Sequence, residues 1–212
     1  MTALTPWLSS VGKYTVEHIN APHFNQAIDM GDPPAAIFHT TEGGGWGSLD
    51  DEFEHHFAPH FLVGAGRIQQ LVPIGLIGLA CKTHNWMARV QVEVIAKSDT
   101  KPWLPDQPTL DVLAELMKAC FLEYSIPLSH PWPDGDFGLA GPNPHRSSGK
   151  VGKEAGWFGH GDMPSPDIHW DPGNLEWSKV FALAQSKIGP PPQPIALATG
   201  AMALPPASGH AP

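Results

Sequence analysis

Cysteine is scarce in this sequence, and its placement narrows the kinds of site that the chain could hold. Cys81 and Cys120 are the two cysteines among 212 residues, far apart and in no Cys-x-x-Cys pair. The pattern of a cysteine-rich zinc site is therefore missing, and a chain of this length buries a core without disulfide staples. We expect two small buried side chains, with a single disulfide between them as the open alternative.

Basic residues are also in the minority, which limits the partners of the protein. The sequence has 12 lysines and arginines against 21 acidic residues, a formal net charge of −9. This balance argues against nucleic acid as a partner and against electrostatic binding to an anionic membrane, because both need surplus positive charge.

Long hydrophobic runs are missing as well. The longest apolar stretch, LVPIGLIGLAC at residues 71–81, is shorter than the about 20 residues that a membrane-spanning helix needs. The first twenty residues contain no basic segment followed by an apolar one. We therefore expect a chain made in the cytoplasm without a Sec-type signal.

Hydrophobic patterns predict several short strands. Residues 35–40 form an apolar run that predicts a buried strand, and HFLVGAGRIQQLVPI predicts a hairpin that turns around Gly64 and Gly66. In ARVQVEVIA, at residues 88–96, every second side chain is valine, which predicts a strand with Gln91 and Glu93 on its other face.

Helical spacing predicts three helices, and their order among the strands predicts the fold class. One helix begins after Ser48, one spans residues 109–124 and one spans residues 174–187. The second helix has an inner stripe of Leu113, Leu116, Met117, Cys120 and Tyr124, and the third has Trp177, Val180, Phe181 and Ala184. Together these elements predict an α/β fold with a mixed central β-sheet flanked by helices.

Three further segments set the expected domain organisation. Residues 1–34 are expected to pack as an N-terminal extension on a single domain of residues 35–187. Residues 125–157 are rich in proline and glycine without periodicity, which is typical of a functional lid or an unstructured segment. Residues 188–212 are biased to proline, alanine and glycine, which predicts a disordered tail.

Two glycine-rich segments do not match the motifs of nucleotide- or phosphate-binding sites. GAGRIQ precedes a strand rather than a helix, so it indicates a hairpin turn and not a dinucleotide site. GGGWG lacks the lysine and hydroxyl of a phosphate loop, and no Gly-x-Ser-x-Gly segment supports a serine hydrolase.

Histidine and aspartate supply the best candidate site. His39 ends the first buried strand, and His160 and Asp171 flank the loop in GHGDMPSPDIHWDPG, where Asp171 alone among the acids precedes Pro-Gly. Two histidines and a carboxylate, with the fourth position open to water, form the pattern of a catalytic zinc site. Glu93 is a costly residue in mid-strand unless a cleft solvates it. A hydrogen-bonded structural role for His39 and a surface position for Glu93 stay open as alternatives.

Four segments in this order resemble the type 2 family of zinc-dependent N-acetylmuramoyl-L-alanine amidases. They are IFHTTEG, PHFLVGAGRIQQLVP, NWMARVQVEVIA and GWFGHGDMPSPDIHWDPG, which frame residues 35–181. The family includes phage endolysins, muropeptide-recycling amidases and peptidoglycan-recognition proteins. The resemblance implies cleavage of the amide bond between N-acetylmuramic acid and L-alanine in peptidoglycan.

The resemblance also implies roles for individual residues. It makes His39, His160 and Asp171 the Zn²⁺ ligands and Glu93 a catalytic residue. His169 stands where the recycling enzymes have lysine, and histidine there is similar to many phage-type members. The role implied for His169 is donation to the oxyanion, with a fourth metal ligand in a closed structural zinc site as the alternative.

Substrate contacts and biological setting are further expectations. Arg146, Lys150 and Lys153 lie close in sequence to His160 and are expected to meet stem-peptide carboxylates. A phage lysis enzyme and a secreted antibacterial effector with an immunity protein both fit a cell-wall hydrolase. The rival function is a non-catalytic peptidoglycan-binding module.

Overall fold

The computed structural model describes residues 7–19, 33–47, 57–135, 143–144, 146 and 149–189. Within these residues the strands are β1 (Ser10–Val11), β2 (Tyr14–His18), β3 (Ala35–Thr40), β4 (Phe61–Gly64), β5 (Arg67–Gln70), β6 (Val90–Val94), β7 (Asp99–Trp103), β8 (Gly156–Gly159) and β9 (Gly173–Leu175). The helices are α1 (Gln107–Tyr124) and α2 (Trp177–Ile188), with 3-10 helices at Lys82–Met87 and His160–Asp162.

Among the described residues, seven strands form one mixed sheet in the order β1-β2-β5-β4-β6-β3-β8, and β7 pairs with β9. β4 and β5 form an antiparallel hairpin, whereas β3 runs parallel to both β6 and β8. Ala65 and Gly66 make the hairpin turn with φ of 46° and 76°. Positive φ at both positions gives a turn that suits the twist of the two strands. The predicted hairpin and the mixed α/β sheet are confirmed.

Alternation along β3 and β6 sorts their side chains onto two faces of the sheet. On one face Phe38 and Val92 join the core cluster that includes α1 and α2. On the other face Ile37 packs with Cys81 and other apolar residues in a second cluster. His39 and Glu93 follow this alternation and lie on the face away from the two helices.

Capping and an apolar stripe account for α1. The Asp106 side chain accepts a hydrogen bond from the Thr109 amide at 2.9 Å, and Ser125, with φ of 58°, ends the helix in the left-handed conformation. Burial of an apolar side chain stabilises the fold by roughly 1.5–3 kcal/mol. The predicted stripe is buried at every position: Leu113, Leu116, Met117, Cys120 and Tyr124.

The third predicted helix begins three residues later than its sequence pattern indicates. Asn174 belongs to β9, where its side chain donates to the Thr100 carbonyl and the strand pairs with β7. Long-range pairing therefore overrides the local helical pattern, and α2 starts at Trp177. Trp177 and Ala184 are buried as predicted.

β8 is one of the strands that the sequence pattern missed, together with β1, β2, β7 and β9. Residues 156–159 read as the end of an irregular segment and the start of a loop, yet they pair with β3 at the edge of the sheet. Two apolar residues between glycines are too few to establish a period. The strand matters because it leads directly into His160.

Several predictions concern residues beyond this description. The helix after Ser48 falls outside the described residues, as does nearly all of the predicted tail. Residues 10–18 form β1 and β2, which join the main sheet through β5, and the domain boundaries at residues 34 and 187 stay predictions. No described helix has the length and apolar character needed to cross a membrane.

Candidate metal centre

The candidate site begins where β3 and β6 end side by side. His39 and Glu93 occupy paired positions in these parallel strands. Both are buried, with exposed fractions of 2% and 7%. Polar groups buried together at a strand end need partners or a polar cavity to offset the loss of water.

A folded-back loop brings His160 and Asp171 to the same edge of the sheet. His160 follows directly after β8. The chain then folds back, and the Gly161 amide donates a hydrogen bond to the Asp171 carbonyl at 2.7 Å. A Cβ atom at Gly159 would lie 2.4 Å from Cδ of Pro172, so glycine permits this close approach. The backbone contact holds together two residues that are too far apart in sequence for one helix face.

His39, His160 and Asp171 converge through their ligand atoms. The two Nδ1 atoms are 3.0 Å apart, and the Asp171 carboxylate oxygens lie 3.6 Å from Nδ1 of His160 and 3.9 Å from Nδ1 of His39. The Thr40 amide donates to the same carboxylate at 3.3 Å. Two nitrogens and one carboxylate with these separations fit a zinc-type ion, whose ligand bonds are about 2.0–2.2 Å long. The three predicted ligands are thus brought together.

Cys81 offers a different third donor. Its Sγ is 3.8 Å from Nε2 of His39, and His39, Cys81 and His160 form a second group with metal-binding spacing. The sulfur, however, faces the ring nitrogen opposite the one that meets His160. Burial raises the pKa of the Cys81 thiol, and the carboxylates of Asp167 and Asp171 raise it further. A thiol must lose its proton to bind a metal, so these shifts work against Cys81 as a ligand.

Asp167 lies between His160 and His169 and contacts both rings. Its carboxylate is 3.1 Å from Nε2 of His160 and 2.6 Å from Nδ1 of His169, which also gives this trio metal-binding spacing. The shorter distance is that of a charge-assisted hydrogen bond. Burial would raise the pKa of Asp167, but hydrogen bonds from the two histidines hold it below its usual value.

Burial sets the protonation of the ligand residues. Desolvation holds the pKa of His39 well below its usual value, and charge on His160 and His169 lowers it further. A neutral histidine keeps a lone pair on one ring nitrogen, which is the form that binds a metal. Burial also raises the pKa of Asp171, although the two histidines oppose this shift. A divalent cation compensates a buried carboxylate directly, because it takes the place of the proton.

A pocket of about 530 Å³ opens over the three candidate ligands. Glu93 and His169 line it together with Glu42, Lys82 and Trp170. The volume lies in the range of small-molecule sites. The predicted base and the predicted oxyanion donor therefore share one cavity with the predicted ligands.

The predicted substrate-binding cations occupy other positions. Arg146 donates from its guanidinium to the Asp167 carbonyl, Lys150 is half-buried and Lys153 is exposed. None of the three lines the pocket, whereas Lys82 does. Lys82 follows an apolar run and is the first residue of a 3-10 helix, so no periodic pattern marks it.

Both cysteines are free and buried, so the disulfide alternative is wrong. Cys120 packs in the main core, as its helical stripe predicts. Cys81 also packs among apolar residues, but its contact with His39 is a feature that sequence reasoning missed. Asp162 is buried and accepts hydrogen bonds from the Asn143 side chain and the Gly159 amide.

Comparison with solved structures shows that this protein has the fold of N-acetylmuramoyl-L-alanine amidases. At the level of the fold, this result confirms the resemblance that the sequence motifs indicate. N-acetylmuramoyl-L-alanine amidase LysC from Clostridium intestinale URNW aligns with a TM-score of 0.52 and 12% identity, over 79% of this chain and 95% of LysC. No protein-family model and no curated protein sequence matches the chain.

Two other similar structures extend this likeness. The Staphylococcus aureus hydrolase AmiA, solved with its ligand, aligns with a TM-score of 0.55 and 13% identity, over 88% of this chain and 95% of AmiA. A selenomethionine derivative of AmpD aligns with a TM-score of 0.56 and 17% identity, over 86% of this chain and 99% of AmpD.

Proposed function

We propose that this protein is a zinc-dependent N-acetylmuramoyl-L-alanine amidase that hydrolyses the bond between N-acetylmuramic acid and the L-alanine of the stem peptide. The observation that carries the proposal is the convergence of His39, His160 and Asp171 beneath a pocket that Glu93 also lines. The fold shared with LysC supports the substrate class.

His39, His160 and Asp171 would hold the zinc ion, and three protein ligands leave a position for water and substrate. When bound, zinc supplies Lewis-acid activation of the attacking water and of the amide carbonyl. The burial of all three ligands supports a fixed donor geometry.

Glu93 is the proposed general base. Its carboxylate takes a proton from the attacking water while the water oxygen bonds to the amide carbon, and it passes that proton to the leaving nitrogen as the C–N bond breaks. The products are the lactyl carboxylate of N-acetylmuramic acid and the free amino group of L-alanine.

His169 is the proposed donor to the oxyanion. Nδ1 of His169 donates a hydrogen bond to the Asp167 carboxylate. Donation into the pocket therefore requires a second proton, on Nε2, and a ring with both protons is an imidazolium. The His169 ring stacks on His160 with a centroid distance of 3.7 Å and an angle of 11°. In-plane lone pairs of two parallel rings do not converge on one ion, which disfavours His169 as a fourth zinc ligand.

Lys82 is the proposed contact for stem-peptide carboxylates. It is exposed, lines the pocket and has no ion pair among the described residues. The pocket is otherwise acidic, with Glu42, Glu93 and Asp171 in its wall. Lys82 is the one lysine or arginine among the described residues that line the pocket, and its charge would attract a substrate carboxylate to that place. Contacts of Arg146, Lys150 and Lys153 with more distant parts of the stem peptide stay a proposal.

A paired assay tests the function. Purified protein should contain zinc by elemental analysis and should release peptides with a new L-alanine amino terminus from purified sacculi. Binding to sacculi without release of such peptides, with zinc present, would favour the binding-module function instead.

The proposed setting is the cell wall of a host or target cell. A phage lysis enzyme and an injected antibacterial effector would both hydrolyse this bond in peptidoglycan. Neighbouring genes separate the two, because a holin gene accompanies the first and an immunity gene accompanies the second.

A further inference from the structure

Asp167 has a well-defined position in the loop between His160 and Asp171. Its side chain is 2% exposed. Its backbone amide donates to the Pro164 carbonyl at 3.1 Å, and its own carbonyl accepts from the Arg146 guanidinium. The residue is thus held by its backbone, independently of any contact that its carboxylate makes.

The two carboxylate oxygens of Asp167 have different histidine partners. Oδ2 meets Nε2 of His160 at 3.1 Å. Oδ1 meets Nδ1 of His169 at 2.6 Å and the His169 backbone amide at 3.0 Å. One buried carboxylate therefore joins the edges of two stacked rings.

We propose that Asp167 is a positioning residue that sets the tautomer and ring orientation of His160 and His169 together. The inference rests on the function proposed above in taking His160 as a metal ligand and His169 as a donor in the pocket. It assigns to one carboxylate the alignment of both the metal centre and the catalytic histidine.

The consequence for His160 follows from the chemistry of the carboxylate. An ionised carboxylate only accepts hydrogen bonds, so His160 must carry its proton on Nε2. Its Nδ1 lone pair is then free and faces Nδ1 of His39 at 3.0 Å and the Asp171 carboxylate at 3.6 Å. A carboxylate on the outer nitrogen of a metal-binding histidine fixes the ring in this way and increases its affinity for the metal.

The Asp167 carboxylate also fixes the position of a proton on His169. Its Nδ1 proton points to Asp167, which leaves Nε2 as the nitrogen that exchanges protons with the pocket. The bond from the His169 backbone amide to the same oxygen restricts rotation of the residue. Loss of the carboxylate should therefore change metal affinity and turnover through two separate rings.

Nuclear magnetic resonance of the full-length, zinc-free protein labelled with ¹⁵N-histidine tests the tautomers directly. Wild type should show a proton on Nε2 of His160 and on Nδ1 of His169. In Asp167→Asn the amide group has one acceptor and one donor end, so at least one histidine should change its tautomer. A wild-type protein with the His160 proton on Nδ1 would overturn the proposal, and this result needs no variant.

Zinc affinity, measured by chelator competition, supplies the second measurement. Asp167→Asn should bind zinc about 10–100-fold more weakly than wild type. The matched control is Asp134→Asn, which removes an exposed carboxylate that caps the start of α2 and touches neither histidine. Affinities of Asp167→Asn and wild type within twofold, with unchanged tautomers, would overturn the proposal. A wild type that binds zinc and shows these tautomers but releases no stem peptide would instead contradict the proposed function alone.

Discussion

His39 and Glu93 stand opposite each other on adjacent parallel strands, one in β3 and one in β6. Neighbouring strands lie about 4.8 Å apart, so the sheet itself fixes the separation of the first proposed metal ligand and the proposed base. Both side chains are on the face away from α1 and α2. The pair therefore lies outside the core that packs against the two helices.

Glu93→Gln should separate catalysis from metal binding. Glutamine keeps the shape of the side chain but accepts no proton, so zinc content should stay at the wild-type value. Turnover at saturating substrate should fall by about 10²–10⁴, the usual effect of losing a general base. Glu17→Gln on β2, outside the pocket, is the matched control. A loss of less than tenfold for Glu93→Gln would remove the residue from the base role.

Asp171→Ala should lose zinc, whereas Cys81→Ala should keep it. The Asp171 carboxylate faces both Nδ1 atoms, but Cys81 lies on the far side of the His39 ring. Elemental analysis after dialysis measures the difference. The opposite result, zinc retained without Asp171 and lost without Cys81, would establish the cysteine as the third ligand.

Lys82→Met should weaken substrate binding more than it slows turnover. Methionine keeps most of the length and removes the charge, so KM for substrates with a complete stem peptide should rise while kcat changes little. Lys101→Met is the control, because that exposed lysine of β7 does not line the pocket and has no proposed contact with substrate. Equal KM values for the two variants would show that Lys82 has no role in binding carboxylates.

His169→Lys should move the alkaline limit of activity. If the oxyanion is stabilised by imidazolium, the rate falls at high pH as the ring loses its proton. A lysine ammonium keeps its proton to a much higher pH than an imidazolium does. The pH–rate profile of the variant should therefore extend further into the alkaline range, with unchanged zinc content. Identical alkaline limbs in both proteins would show that loss of a proton from His169 does not set this limit.

His60 should make the protein less stable in mild acid. The residue is fully buried, and its neutral ring accepts from the Gln91 amide at 3.0 Å and meets the Leu76 carbonyl at 2.9 Å. Burial lowers the pKa of His60 from 6.5 to about 4. The unfolded chain thus binds a proton below pH 6.5 that the folded chain takes up only near pH 4.

The contribution of His60 to stability is complete above pH 6.5 and falls as pH decreases to about 4, by roughly 3 kcal/mol in all. Urea unfolding at several pH values should show a shallower acid loss for His60→Gln than for wild type. Parallel stability curves for the two proteins would contradict this expectation.

Elements with a clear local period were predictable from the sequence, and those made by distant pairing were not. The alternating valines of β6 and the apolar stripe of α1 indicate which side chains are buried, because apolar residues recur there at the interval of a strand or a helix. β8 and β9 have four and three residues, and partners far away in sequence define them.

The same reasoning applies to the candidate site. His39, His160 and Asp171 were marked by residue type and by neighbouring glycine and proline. Asp167 and Lys82 were not distinguished in this way, because a loop has no period that shows which side chains turn inward. Their positions depend on how the chain between His160 and Asp171 folds back and on where the 3-10 turn after Cys81 begins.

The hydrogen bond between the Gly161 amide and the Asp171 carbonyl closes residues 162–170 into a loop with a fixed base. The separation of the two ligands depends on this backbone contact and on the absence of a Cβ at Gly159 and Gly161, not on the number of residues between them. Loops of other lengths could therefore be joined to the same base. Within that loop Asp167 is tied to the candidate metal centre through His160 and His169, so changes elsewhere in the loop can reshape the border of the pocket while the arrangement of the candidate ligands stays constant.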